Sequence, residues 1–219
     1  MHFGPFNLVY PDSLVIEDIR LELEKPVYHI VGKNGSGKST LLNLVLDACE
    51  SDSFEYAFIN QNYRENWLWW KSIRQNLEYP LNLNGGQAKI EDNTEYEYHR
   101  DWLEPLLNKR TQVDFSKQSE TASAGVSGGQ LQKLVFLREL LLKPQLLFLD
   151  EAFSALDVEA VRDICRWLLS AQERIGFKII SISHDPKILE YLPGEILEVR
   201  KDEANRVSVS NNPKFKYVS

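Results

Sequence analysis

The chain has 219 residues, 43% of them hydrophobic and 26% charged, with a formal net charge of −7. That apolar content supports one sizeable α/β core with room for a subdomain, and the acidic balance without a long basic block argues against nucleic acid as the main partner. There is no run of about eighteen apolar residues and no charged-then-apolar leader, so neither a spanning helix nor secretion is expected and the expected compartment is the cytoplasm.

In chain order, Phe6 to Tyr10, Leu14 to Leu23 and Val27 to Val31 read as strands, separated by the turns Pro11-Asp12-Ser13 and Glu24-Lys25-Pro26. After "VYHIV" comes Gly32-x-x-x-x-Gly37-Lys38-Ser39, and Leu41, Leu42, Leu44 and Val45 then recur at helical spacing. Glycines at 32, 35 and 37 let the backbone turn its N–H groups inward, and the helix N-terminus adds partial positive charge, so the turn predicts a phosphate cradle. Lys38 is placed to reach the β- and γ-phosphates and Ser39 to help hold Mg²⁺. The competing reading is a plain strand–turn–helix corner with a solvent-facing lysine. The strand before the motif and the helix after it favour the cradle. Cys49, in this helix, and Cys165 are far apart and lie in apolar helical patterns, so both are expected as buried free thiols.

Phe54 to Asn60 is a further short strand. From about Trp67 to Ser123 the chain turns polar and helical with loops between. Asn82 to Gln87 is a turn signal and Tyr98 to Asn108 carries a helical apolar stripe. The expected organisation is a single domain over 1–219 with a helical subdomain inserted at about 67–143. Three tryptophans, Trp67, Trp69 and Trp70, crowd its start. Neither helix nor strand geometry can turn all three to one side, so at least one should be exposed. Packing at the joint between core and subdomain competes with a docking role for these side chains.

In "VSGGQLQKLVFLRELLLKP", Ser127 and Gln130 form a capping-box pattern and Pro144 ends the helix. A cap leaves Gly128 and Gly129 unexplained, because each costs about 1 kcal/mol in a helix unless something must approach the bare backbone. A second helix N-terminus is a second anion site, and one nucleotide does not need two, so this site is expected to complete a pocket on a partner molecule. "LLFLD", Leu146 to Asp150, is a buried strand whose terminal Asp150 can orient Mg²⁺, and Glu151 follows where it can polarise an attacking water. An ordinary acidic loop is the alternative, and so apolar a run before two carboxylates disfavours it. A helix from about Val158 to Arg174 and a strand from Lys178 to His184 come next. The tail from Asn205 to Ser219 alternates weakly, as a short hairpin or a loose end.

In this order, "GKNGSGKST", "VSGGQ", "LLFLDE", "SALD" and "SISHD" resemble the ATP-binding-cassette (ABC) ATPases, specifically a nucleotide-binding subunit of an ABC transporter, over about Tyr10 to His184. The resemblance implies an α/β fold, a P-loop NTPase core of ABC ATPase type with a small antiparallel β subdomain and an inserted α-helical subdomain. It implies ATP and Mg²⁺ as cofactors. Tyr10 would stack on adenine, and Gly32, Asn34, Gly35, Ser36, Gly37, Lys38, Ser39 and Thr40 would hold the phosphates. Ser127, Gly128, Gly129 and Gln130 would meet the nucleotide of a second ABC subunit, identical or closely related, and Asp157 would contact that subunit. Ser39, Gln61 and Asp150 would serve the metal. Lys38, Gln61, Glu151 and His184 would serve catalysis, with His184 on the γ-phosphate. The same resemblance implies an integral membrane transporter subunit as partner and a peripheral position on the cytoplasmic face. A soluble ABC switch acting on ribosomes or DNA is the alternative, disfavoured by the single cassette and the lack of sustained heptads. A cassette that only binds nucleotide is disfavoured by the presence of Lys38, Asp150, Glu151 and His184. The sequence departs from the family at Val126, where leucine is usual, at Lys133, where arginine is common, in "FLREL", and in the short span from Lys38 to Gln61, which leaves little room for an antiparallel element.

Overall fold

Val27 to Val31 is apolar or aromatic at all but one position, and all five residues are buried, the mark of a strand covered on both faces. It is the third strand of a computed structural model that describes residues 1–10, 13–64, 67–82, 89–101, 127–154 and 156–212. The strands are β1 (His2–Tyr10), β2 (Leu14–Glu22), β3 (Val27–Val31), β4 (Tyr56–Asn60), β5 (Leu146–Asp150), β6 (Lys178–Ile182), β7 (Glu195–Lys201) and β8 (Val207–Asn211). Six of them form one sheet in the order β4-β5-β6-β3-β7-β8, parallel except for the final β7–β8 pair, while β1 and β2 form a separate antiparallel pair.

Helices cross between the parallel strands: α1 (Lys38–Ser51) joins β3 to β4, α4 (Val158–Ile175) joins β5 to β6, and α5 (Pro186–Tyr191) joins β6 to β7. Between β4 and β5 the described elements are all helical: α2 (Ile73–Glu78), two short 3-10 turns, a helical stretch at 96–101, and α3 (Gly128–Leu140). The sheet separates two cores. On one face Leu41, Leu42, Val45 and Cys49 of α1 meet Phe148, Ile180 and the inner side chains of β1 and β2. On the other, α3 and α4 cover Ala57, Ile59, Leu147, Leu149 and Ile179. Both cysteines are buried free thiols, Cys49 pushed up to about 11 and Cys165 to about 12, by burial in each case.

The helical stretch at 96–101 is moored to α4. Trp167 donates its indole N–H to His99 Nδ1 at 3.2 Å, the Tyr98 hydroxyl meets Ser170 Oγ at 2.7 Å, and Arg174 pairs with Glu95 at 2.7 Å. The remainder of the Tyr98–Asn108 stripe, the 83–87 part of the turn signal, Pro11-Asp12 and Val126 lie outside the described residues.

β1 starts at His2, four residues before the sequence signal, and its register shifts between Phe3 and Phe6, where Pro5 offers no N–H to the ladder. α1 ends at Ser51 and β4 opens at Tyr56, so no antiparallel element lies between Lys38 and Gln61. Within the described part of the tail, 205–212, β8 pairs antiparallel with β7 as a hairpin. Sequence pattern alone makes no assignment for 185–204. The structure places α5 and β7 there: the helix has only six residues, too few for a periodic signal, and β7 carries Glu195, Glu198 and Arg200 among its apolar positions.

Candidate functional site

The carboxyl ends of β3, β4, β5 and β6 lie side by side, the edge at which open α/β sheets bind ligands. Here β3 runs into the glycine turn. A Cβ at Gly32 would fall 2.3 Å from the Val199 carbonyl oxygen, and Gly37 adopts φ 100 as the residue preceding α1. Lys38, the first residue of α1, curls back so that its ammonium donates to Gly32 O at 2.9 Å and Lys33 O at 3.0 Å. Burial lowers its pKa, opposed by the charges of Glu151 and Asp150, which places both carboxylates in its field.

α2, α3, α4 and α5 each have an N-terminal N–H bonded by a side-chain oxygen, from Ser72, Ser127, Asp157 and Asp185. α1 has no such cap and no acidic residue in its first turn. Its donors therefore face the glycine turn without an internal acceptor, the condition that an anionic ligand satisfies. Asn34, Gly35 and Ser39 are exposed, Thr40 is half-buried, and the buried Ser36 hydroxyl oxygen has no partner.

At the end of β5, Asp150 stands in register with Asn60 of β4 and Ile182 of β6. Glu151 then leaves the strand at φ 50, its N–H held by Ile182 O at 2.9 Å. That turn keeps the carboxylate at the sheet edge. His184 Nε2 lies 3.6 Å from Glu151 Oε1, and this oxygen is buried with no hydrogen bond. Burial is the main cause that pushes both carboxyls above their ordinary values. For Asp150 it is opposed by Lys38 and His184. For Glu151 the neighbouring Asp150 adds to it, while His184 and Lys38 oppose it. A phosphate-bound divalent cation fits this donor set: Asp150 and the Ser39 hydroxyl supply hard oxygens, and Asn60 Oδ1 and Glu151 Oε1 are buried acceptors without a hydrogen bond at the same strand ends.

The structure thus brings Gly32 to Thr40, Asp150, Glu151 and His184 to one edge. Gln61 follows β4 directly and is exposed, and Tyr10, half exposed, ends β1. Asp157 caps α4 through Ala160 N at 2.9 Å. The capping box forms as expected, Gln130 N bonding Ser127 Oγ and Ser127 N bonding Gln130 Oε1 at 2.9 Å. At Gly128 the explanation changes. The room that its missing Cβ leaves is taken from within the chain, by Arg64 Nη2 and Tyr63 Oη at 3.0 and 3.3 Å from where that atom would stand. Buried Tyr63 donates its hydroxyl to Gly128 O at 3.1 Å, tying the segment after Gln61 to the first turn of α3.

Sequence reasoning missed Asn60, Tyr63 and Asn76. Asn76 is wholly buried and its carboxamide accepts from Leu68 N at 2.9 Å and donates to Leu68 O and Ser72 O at 3.0 Å each. It fixes a knuckle on which Trp69 and Trp70 are 41% and 75% exposed, while Trp67 is buried beneath the Arg138 guanidinium. Two of the three tryptophans therefore point outward, where at least one was required.

A family model described as ABC transporter matches residues 16–154, well over half of the chain. The methionine import ATP-binding protein MetN of Rhodospirillum rubrum is 30% identical over 94% of this chain and 57% of its own length. The methionine import ATP-binding protein MetN 3 of Bacillus cereus is 26% identical over 93% of this chain and 64% of its own. The sulfate/thiosulfate import ATP-binding protein CysA of Xylella fastidiosa is 24% identical over 96% of this chain and 60% of its own. The chain thus spans roughly three fifths of the length of these relatives. Among solved structures, the dimeric post-hydrolysis state of the ATP-binding cassette MJ0796 bound to ADP and Pi superposes with a TM-score of 0.67 at 18% identity, covering 95% of this chain and 96% of that one, and shares its fold. With the glycine turn, Lys38 and the two carboxylates at one sheet edge, the chain belongs to the ABC transporter family.

Proposed function

We propose that this subunit hydrolyses Mg-ATP in a head-to-tail dimer and drives a separate membrane-embedded transport subunit. The observation that carries the reading is the convergence of Lys38, Asp150, Glu151 and His184 at the carboxyl ends of β3, β5 and β6, with Glu151 Oε1 buried without a hydrogen bond and His184 Nε2 3.6 Å away. The uncapped α1 N-terminus binds the phosphates, and Lys38 trades part of its hold on Gly32 O and Lys33 O for phosphate oxygens. Asp150 and Ser39 would hold the Mg²⁺ with Gln61, and the cation would supply charge neutralisation at the phosphates. Glu151 accepts a hydrogen bond from the attacking water and draws off its proton, a task favoured by its raised pKa. His184, beside it, steadies the γ-phosphate. Tyr10 stacks on the base, and Ser127 to Gln130 close over the nucleotide of the second subunit.

No helix among the described residues is long and apolar enough to cross a membrane. The relatives' names place them in import systems, and the exposed Trp69 and Trp70, eight and nine residues after Gln61 in sequence, offer a surface for a short cytoplasmic helix of such a membrane subunit. Replacing Trp70 by alanine should uncouple transport while leaving ATP binding intact. Unchanged assembly and transport would remove this surface from the scheme. The central test is phosphate release with Mg-ATP. Glu151→Gln should lower turnover by about 10²–10⁴-fold while ATP stays bound. Parental turnover in that variant would defeat the assignment.

A further inference from the structure

Asn60 ends β4 in register with Asp150 of β5. Along β4, Ala57 and Ile59 belong to the core under α3, whereas Tyr56 and Phe58 pack against the core of the α1 face. The two-residue period sends Asn60 to the α1 face as well. On β5, Leu147 and Leu149 lie in the α3 core and Leu146 and Phe148 in the α1 core, so Asp150 turns to the same side. Neighbouring strands stand about 4.8 Å apart. The carboxamide and the carboxylate therefore leave adjacent backbone positions toward one side, that of Lys38, which feels the Asp150 charge.

Asn60 Oδ1 is shut off from solvent and has no hydrogen-bond partner. A buried acceptor left unpaired bears the desolvation cost of the group with nothing in return. Just past β5, Glu151 Oε1 is in the same condition. What both oxygens lack is a donor, and a divalent cation that keeps several of its waters brings polarised O–H groups to this place.

We propose that Asn60 is a positioning residue: its Oδ1 accepts a hydrogen bond from a water in the shell of the divalent cation held at Asp150, and it thereby sets cation affinity. This rests on the reading of the edge as a Mg-nucleotide site. The test uses the full chain with Asn60→Leu and Asn60→Asp, a fluorescent ATP analogue titrated in EDTA, and Mn²⁺ titrated by electron paramagnetic resonance with a non-hydrolysable ATP analogue bound. Asn60→Leu should leave nucleotide affinity in EDTA unchanged and raise the Mn²⁺ concentration at half-saturation about 3- to 10-fold, the range of one lost hydrogen bond. Asn60→Asp should lower that concentration, and should melt earlier than the parent in EDTA with the deficit recovered on adding Mn²⁺. Parental Mn²⁺ binding in Asn60→Leu, or an Asn60→Asp chain whose Mn²⁺ affinity and melting match the parent, overturns the proposal while the Mg-nucleotide reading stands. A parental chain that binds nucleotide but no Mn²⁺ overturns that reading, and the role of Asn60 with it. Should Asn60→Leu fail to fold, Asn60→Asp decides by both of its readouts.

Discussion

Glu151 is held where burial works against its charge, and that tension is measurable apart from catalysis. Its folded pKa is raised, mainly by burial and further by Asp150, so the neutral form is the one that folding favours. The favourable contribution is present below the ordinary glutamate range and is lost as pH rises through the raised value. At pH 7 without nucleotide, Glu151→Gln should therefore melt at a higher temperature than the parent. The difference should vanish at a pH below the ordinary glutamate value, where both chains are neutral at this position. Equal melting at pH 7 would mean that the carboxylate is better solvated than its buried Oε1 implies. The glycine turn, Lys38, Asp150 and Glu151 were legible in the sequence because each site is made by consecutive residues. Asn60 was not, because its meaning comes from register with Asp150, some ninety positions along the chain. Tyr63 escaped for the same reason: an aromatic two residues past Gln61 becomes a tie only when α3 is brought beneath it.

Elements were most legible where periodicity is strong. β3 and β5 fall within the bounds expected, and α4 ends one residue beyond them, at Ile175, with Gly176 as its left-handed stop. β7 was hidden by its charges, whereas the segment between β4 and α3 was expected as helical and only its attachment to α4 had to be read from tertiary contacts. That attachment has a pH signature. His99 is buried, its Nδ1 accepting from Trp167, and its pKa falls from 6.5 to about 4, chiefly by burial and also by Arg174, against the opposing pull of Glu95. For a histidine held neutral, the stabilising contribution is full above the unfolded value and is lost as pH falls toward the folded one. Acidification from pH 7 to about 4 should cost about 3 kcal/mol at this position alone. In His99→Phe the unfolding free energy should fall less steeply over the same interval. A slope remains in that variant, because buried His29, bonded to Leu192 O, also has a lowered pKa. Identical slopes in denaturant titrations of the two chains would show that His99 is not neutral by burial in the folded state.

At the scale of the whole molecule, the two helix ends that our reading assigns to the nucleotide belong to separate parts of the sheet's surroundings. α1 opens from β3 over the glycine turn, while α3 opens from the helical region and is tied by Tyr63 to the segment after Gln61. Our reading has each nucleotide held by the α1 end of one subunit and the α3 end of the other, which makes a statement about mixtures. Lys38→Ala damages the first kind of surface and Ser127→Arg the second. In a mixed dimer one pocket then carries both defects and the other carries neither. If pockets act independently, mixing two nearly inactive chains in equal amounts should restore about a quarter of parental turnover, since half of the dimers are mixed and each has one sound pocket of two. Loss of the Ser127 cap costs about 1 kcal/mol, so both variants must be shown to melt cooperatively before mixing. The Glu151→Gln chain supplies the independent check, because with Mg-ATP it should elute as a dimer on a sizing column. Mixing that restores nothing, together with monomeric elution of that chain, would leave each pocket complete within one subunit and exclude the head-to-tail arrangement.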